Sequence, residues 1–156
     1  VFDALERLLP QPESPPERQR LARSNLKVRL RMLVLYYFAN RLNYLVVGSS
    51  NRSELATGYF TKYGDGAVDI VPLGNLTKTE VRKLAVHLGV PPRIIDRPPS
   101  AGLWPGQTDE AELGLTYDEI DRYLLSGEGP ESIKVRLQQL AEASRHKRQP
   151  PPVPDF

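Results

Sequence analysis

The stretch from Tyr44 to Pro72, YLVVGSSNRSELATGYFTKYGDGAVDIVP, constrains this chain more than any other. Tyr44 to Val47 is a β-branched and aromatic run that ends at Gly48 and passes into Ser49-Ser50-Asn51, residue types that cap helices. A polar helix start, a glycine-broken loop and a second apolar run follow. The pattern predicts a helix beginning at the carboxyl end of a buried strand. In open α/β sheets ligands bind there, because free amides and the positive end of the helix dipole face the crevice.

The chain has 156 residues, 40% of them apolar, which is enough for one domain with a real core. It has no cysteine, so disulfides, thiolate metal sites and cysteine nucleophiles, a built-in cysteine glutaminase among them, are excluded within these residues. A formal net charge of +2 is too small for a phosphate-tracking surface, which argues against nucleic acid as a partner. No apolar run approaches the ~20 residues that span a bilayer, and no signal-peptide pattern opens the chain. No membrane partner and a cytoplasmic location are the expectation. The first residue is Val1 rather than methionine, so the sequence is expected to be part of a longer protein.

Val1 to Leu9 predicts one short amphipathic turn, and PQPESPPE after it reads as a connector and a boundary. Residues 1–16 are thus expected to be a partial N-terminal segment with its proline-rich connector, and 17–156 to belong to a single domain. A long helix is predicted from Glu17 to Leu42, almost continuously apolar from Met32 to Ala39. A helix apolar all round is expected to be buried, here between a sheet and a partner subunit. Arg29 and Arg31 lie roughly 200° apart on it, so they cannot serve one face. Thr77 and Glu80 form a capping box for a helix to about Leu88, with Gly89 as its left-handed terminator. The segment 92–114 is too broken by Pro and Gly for more than a short helix at 93–96, yet it carries the one tryptophan, Trp104. Thr116 and Glu119 open another capped helix to about Leu125, and Pro130 starts a last one toward Arg145. His146-Lys147-Arg148 follows, then an extended tail, QPPPVPDF.

Several residues allow two readings each. Glu54 has capping-box spacing from Asn51, and equally is a carboxylate one turn into a helix, where magnesium bound to phosphates could be met. Gly58 to Asp69 interleaves Tyr59, Phe60 and Tyr63 with glycines, which suits either a planar ligand or a plain hairpin or bulge. Lys78 stands at a helix N-terminus, where a cation is misplaced unless an anion shares the site or solvent screens it. His146 and Lys147 suit a helix end on structural grounds alone. Trp104 anchors its loop, or caps a lid that excludes water.

The run YLVVGSSNRSELATGYFTKYGDGAVDIVPLGNLTKTEVRKLAVHLGVP, with PPSAGLWPGQTDEAELGLTYDEID and the late HKR, resembles the ammonia-dependent NAD synthetases of the ATP-pyrophosphatase group. The resemblance runs from about Asn25 to Phe156. It implies an α/β fold with a Rossmann-like parallel sheet flanked by helices, here only the second half of the fold. It also implies a ligase of NAD biosynthesis: ATP activates the nicotinate carboxylate of deamido-NAD as an acyl adenylate, pyrophosphate leaves, and ammonia gives the amide, with AMP released. Carried over by motif, Ser49, Lys78 and Ser100 would contact ATP. Glu54 would hold Mg2+, and Arg29, Lys62, Asp69, His146 and Lys147 would contact deamido-NAD. Lys78 and Asp69 would be catalytic, the first offsetting phosphate charge together with the helix amides after Ser49, the second holding substrate or deprotonating ammonium. The loop from Ser100 to Gly114 would close as a lid, and a homodimer is implied.

The chain departs from that family in three places, one being Ser49, which keeps the hydroxyl but stands where the family usually has an ATP-binding threonine. No S-G-G-x-D-S loop, whose aspartate is a second magnesium ligand, occurs in Val1 to Leu42, and Ser24 precedes Asn25 where the family commonly has glycine. Two readings follow: the carboxyl-terminal part of an active synthetase, or a non-catalytic nucleotide-binding or dimerisation module. The missing loop puts turnover by these 156 residues alone in question.

Overall fold

The computed structural model describes residues 1–10 and 12–155, so Gln11 of the connector and Phe156 of the tail lie outside the described residues. The chain divides into two compact units, Val1–Gly48 with Thr61–Ile70, and Ser49–Phe60 with Val71–Phe156.

In the first unit α1, Phe2–Leu8, packs on α2, Pro16–Leu42. Proline opens α2 because its missing N–H falls where no intrahelical bond is made, and Asn43 closes it in the left-handed conformation at φ 55°. Arg23 Nε sits 2.5 Å from Glu6, and Lys27 Nζ lies 4.8 Å over the Phe2 ring. The predicted helix is therefore present, but its apolar stretch is not buried. Leu33, Val34, Leu35, Tyr37 and Phe38 are all more than half exposed, and of the helix's apolar residues only Val28 and Ala39 are fully buried among the described residues.

The two apolar runs of the first unit meet at one isolated parallel bridge, Val47 to Ile70. Gly48 N donates to Ile70 O at 2.8 Å and Asp69 N to Val46 O at 2.9 Å. Gly48 is required here, since a Cβ would come within 2.7 Å of Val68 Cγ2. Among the described residues no full strand forms, so the expected parallel sheet is reduced to this bridge. A two-segment pairing lacks the neighbours that extend a ladder.

The second unit is helical. It holds α3 (Arg52–Thr57), α4 (Lys78–His87), α5 (Pro92–Ile95), α6 (Asp109–Leu113), α7 (Tyr117–Ser126), α8 (Glu131–Ala143) and a 3-10 turn, Arg145–Lys147. Capping boxes at Asn51/Glu54, Thr77/Glu80 and Thr116/Glu119 all form. Gly89, Gly114 and Gly127 end or follow their helices at left-handed φ. The core is Leu113, Leu115, Tyr117, Ile120 and Leu137, with Tyr59, Tyr123, Leu124, Ile133 and Leu140 against it. Burying this set stabilises the unit at about 1.5–3 kcal/mol per large side chain. The short α6 was not legible beforehand, but Thr108 caps it and Gly114 stops it.

Candidate functional site

In the second unit the candidate residues gather at the starts of α3 and α4. Glu54 caps its own helix and at the same time pairs with a lysine. Oε2 accepts from Asn51 N at 3.0 Å as the return arm of the capping box, while Oε1 takes Lys78 Nζ at 2.8 Å. The side chains are only 16% and 20% exposed, so solvent does not excuse the cation at this helix start. Lys78 Nζ also stands 4.9 Å over the Tyr117 ring.

Most amides of these two helix starts already have protein acceptors. In α3, Arg52 N donates to Leu76 O at 2.8 Å and Glu54 N to Asn51 Oδ1 at 3.0 Å. In α4, Lys78 N donates to Ser53 Oγ at 3.0 Å, Thr79 N to Asp121 Oδ2 at 2.7 Å and Glu80 N to Thr77 Oγ at 3.4 Å. The expectation that the amides after Ser49 offset phosphate charge is corrected at Asn51, Arg52 and Glu54, whose N–H groups have protein acceptors.

Below Lys78 lies a buried polar group that the sequence reading did not single out. The Tyr117 hydroxyl donates to Asp109 Oδ2 at 2.9 Å, and Asp109 Oδ1 is buried without a hydrogen-bond partner. Burial pushes the Asp109 carboxyl up, against the opposing pull of the Tyr117 hydrogen bond and the Lys78 charge. Burial also pushes the Tyr117 hydroxyl up, helped by the Glu54 and Asp109 charges, so it stays a donor. Tyr59 behaves alike, raised by burial and by its bond to Glu112. Gln107 Nε2 donates to the same Glu112 carboxylate at 3.0 Å, and Gln107 Oε1 accepts from Leu103 N at 2.8 Å. With Asp109 N donating to Pro99 O at 3.0 Å, the loop carrying Ser100 and Trp104 is tied down at both ends. Ser100 Oγ accepts from Gly102 N at 3.1 Å within it.

His146 and Lys147 lie on the 3-10 turn after α8. Lys147 Nζ donates to the carbonyl oxygens of Gly58 and Phe60, both at 2.7 Å, and sits 5.4 Å over the Phe60 ring. His146 and Ser49 are exposed. Gly58 makes this approach possible: it adopts φ +69°, and a Cβ there would collide with Cβ and Oγ of Ser144.

In the first unit Arg29 and Lys62 come together, Arg29 Nε donating to Lys62 O at 3.2 Å, with Lys62 Nζ 5.2 Å over the Tyr63 ring. Asp69 stands at the parallel bridge instead. Its Oδ2 accepts from Val46 N at 2.7 Å and its Oδ1 from the Tyr36 hydroxyl at 3.2 Å.

No cluster of three or more carboxylates or histidines that could hold a metal occurs among the described residues. Glu54 alone fits magnesium only in the form that takes one carboxylate with phosphate oxygens and water as its other ligands. Both of its oxygens are engaged in this structure, Oε1 by Lys78 Nζ and Oε2 by Asn51 N, so a magnesium ion would share the carboxylate with one of them.

Comparison with known proteins places the chain in a family. The sequence profile of the family described as NAD synthase matches residues 4–151. The NH(3)-dependent NAD(+) synthetase of Carboxydothermus hydrogenoformans is 55% identical over 141 residues, covering 90% of this chain and 58% of that protein. Among solved structures, the NMN synthetase from Francisella tularensis superposes with a TM-score of 0.87 at 42% identity, covering 99% of this chain and 62% of that one. The NH3-dependent NAD synthetase from Campylobacter jejuni gives 0.70 at 28% identity, over 99% and 61%. The chain thus spans about three fifths of the length of these relatives. Because the profile spans nearly all of it and the superposition nearly every residue, the chain belongs to the NAD synthase family.

Proposed function

We propose that the protein is an ATP-dependent ligase that amidates the nicotinate carboxylate of deamido-NAD with ammonia, through an acyl adenylate, releasing AMP and pyrophosphate. The observation that carries this is the 55% identity over 141 residues to a curated ammonia-dependent synthetase. The geometry supports it. Acyl adenylation joins two anions, and Lys78, fixed 2.8 Å from Glu54 over an aromatic face, is a preorganised cation of the kind that offsets their charge. Magnesium on Glu54, when bound, would supply further charge stabilisation for the departing pyrophosphate. Ser49, Lys78 and Ser100 are assigned to ATP, and Arg29, Lys62, Asp69, His146 and Lys147 to deamido-NAD. The bridge between Val47 and Ile70 belongs, in this reading, to a larger Rossmann-like sheet, with 17–156 the carboxyl-terminal portion of one synthetase domain. A cytoplasmic homodimer is the assembly, supported by the exposed apolar stretch of α2. Incubating the complete gene product with ATP, magnesium, ammonium and deamido-NAD tests it: NAD and AMP should form in equal amounts, and formation of neither would sink the reading.

The superposition on the Francisella structure favours a second substrate of the same chemistry, the nicotinate mononucleotide. The ratio of kcat/KM for mononucleotide and dinucleotide separates the two readings.

A further inference from the structure

Lys78 is held from α7 by two residues one helical turn apart. Tyr117 and Asp121, at i and i+4, project from the same face of that helix and are 0% and 3% exposed. Tyr117 presents its ring to the Lys78 ammonium at 4.9 Å. Asp121 works on the other end of the residue, at the backbone. One carboxylate oxygen accepts the Ser53 hydroxyl, and that hydroxyl accepts Lys78 N at 3.0 Å. The other accepts Thr79 N at 2.7 Å and Thr79 Oγ at 2.6 Å. Three helices, α3, α4 and α7, thus meet on one buried carboxylate.

Electrostatics explains the arrangement. The first turn of a helix carries partial positive charge, which favours an anion and disfavours a lysine at the first position. Asp121 occupies the place an incoming phosphate would take at a bare helix start, and its charge offsets the unfavourable placement of Lys78. Lys78 can then stand at the first position of α4 with its ammonium directed at Glu54.

We propose that Asp121 is a positioning residue for the ligase reaction: through Ser53 and Thr79 it fixes the start of α4, and so the reach of the Lys78 ammonium toward the phosphates of ATP. The proposal rests on the functional reading above. Asp121 touches no reacting atom, and its effect passes through Lys78.

A double-mutant cycle in the complete gene product tests this. Asp121→Asn is expected to lower kcat/KM for ATP about 100-fold when Lys78 is present, since displacement of a positioned group by an ångström costs on that order. In a Lys78→Met background the same substitution should cost less than about 3-fold, because its route of action is gone. Ser53→Ala, which cuts only the relay to Lys78 N, should show a smaller loss with the same dependence on Lys78, and it carries the test if Asp121→Asn does not fold. Amide hydrogen exchange at Lys78 and Thr79 should quicken in Asp121→Asn while that of α8 holds. Equal fold-losses in both backgrounds, with turnover intact in the parent, would overturn the positioning role and leave the ligase reading standing. Absence of turnover in the parent overturns the ligase reading, and the role with it.

Discussion

The carboxylate of Asp69 holds the backbone amide of Val46 at 2.7 Å, beside the isolated parallel bridge from Val47 to Ile70. Its other oxygen accepts the Tyr36 hydroxyl of α2 at 3.2 Å, and that hydroxyl is raised above its usual range, first by desolvation and then by the Asp69 bond and charge. A residue assigned to substrate on resemblance therefore also staples two segments to a helix.

These two roles separate by substitution. Asp69→Asn keeps an acceptor for Val46 N and is expected to lose under about 1 kcal/mol of stability, whereas Asp69→Ala loses about 1–2 kcal/mol. If Asp69 also serves the substrate, Asp69→Asn should still reduce kcat/KM for deamido-NAD at least about 10-fold. Urea melts beside steady-state kinetics decide it, and activity that falls only in step with stability rules out the substrate role.

Glu54 caps α3 and pairs with Lys78, so removing its charge strikes both. Glu54→Ala is expected to cost about 2 kcal/mol, of which the cap supplies about 1. Glu54→Gln retains acceptor capacity at the cap and should cost less. Chemical denaturation of the two variants and of Lys78→Met gives the comparison.

Asp109 should make the fold less stable at neutral pH. Burial raises its carboxyl pKa above the unfolded value, so the stability associated with the protonated form is complete below the ordinary carboxylate range and lost as pH rises through the folded value. Asp109→Asn keeps an acceptor for Tyr117 without the buried charge. It is expected to gain about 1 kcal/mol at about pH 7, the gain shrinking toward about pH 4. A destabilised Asp109→Asn at neutral pH would mean that the unpartnered oxygen has an unseen cation.

Glu80 and Glu119 act in the opposite sense. Their carboxyls are lowered, first by the backbone amides of Thr77 and Thr116 and then by the hydroxyls of the same residues. Their stabilisation is present above the unfolded carboxylate value and is lost as pH falls through the lowered folded values. The double variant Glu80→Gln, Glu119→Gln should therefore show a shallower loss of Tm on acidification than the parent, followed by calorimetry across that range.

Gly58→Ala should be among the most damaging single substitutions in the second unit. The left-handed φ of +69° disfavours a side chain, and the new Cβ meets Ser144. A loss of at least about 2 kcal/mol is expected, partly recovered in a Gly58→Ala, Ser144→Gly double variant. Thermal melts of these two variants and of Ser144→Gly alone measure the coupling.

Much of the helical architecture was legible because its signals are local. Thr77/Glu80, Thr116/Glu119 and Asn51/Glu54 announce helix starts through hydrogen bonds that span three residues, and Gly89 announces an end. What the sequence could not disclose depends on distant partners. The pairing of Lys78 with Glu54 spans 24 residues and the bond from Ser53 to Asp121 spans 68, and neither follows from any periodicity. The i, i+4 spacing of Tyr117 and Asp121 was readable, but only the buried face of α7 shows that both address one lysine. The exposure of Leu33 to Phe38 was missed because an all-apolar helix carries no mark of which element covers it.

The bridge between Val47 and Ile70 has a practical consequence for handling the chain. Tyr44, Leu45 and Val47 are 69%, 67% and 60% exposed beside a pairing that stops after one bridge, which leaves extended, β-prone backbone ready to accept a foreign strand. When these 156 residues are produced by themselves, colloidal behaviour rather than folding free energy should set the usable concentration. A charged residue placed at Leu45 is the simplest way to raise it.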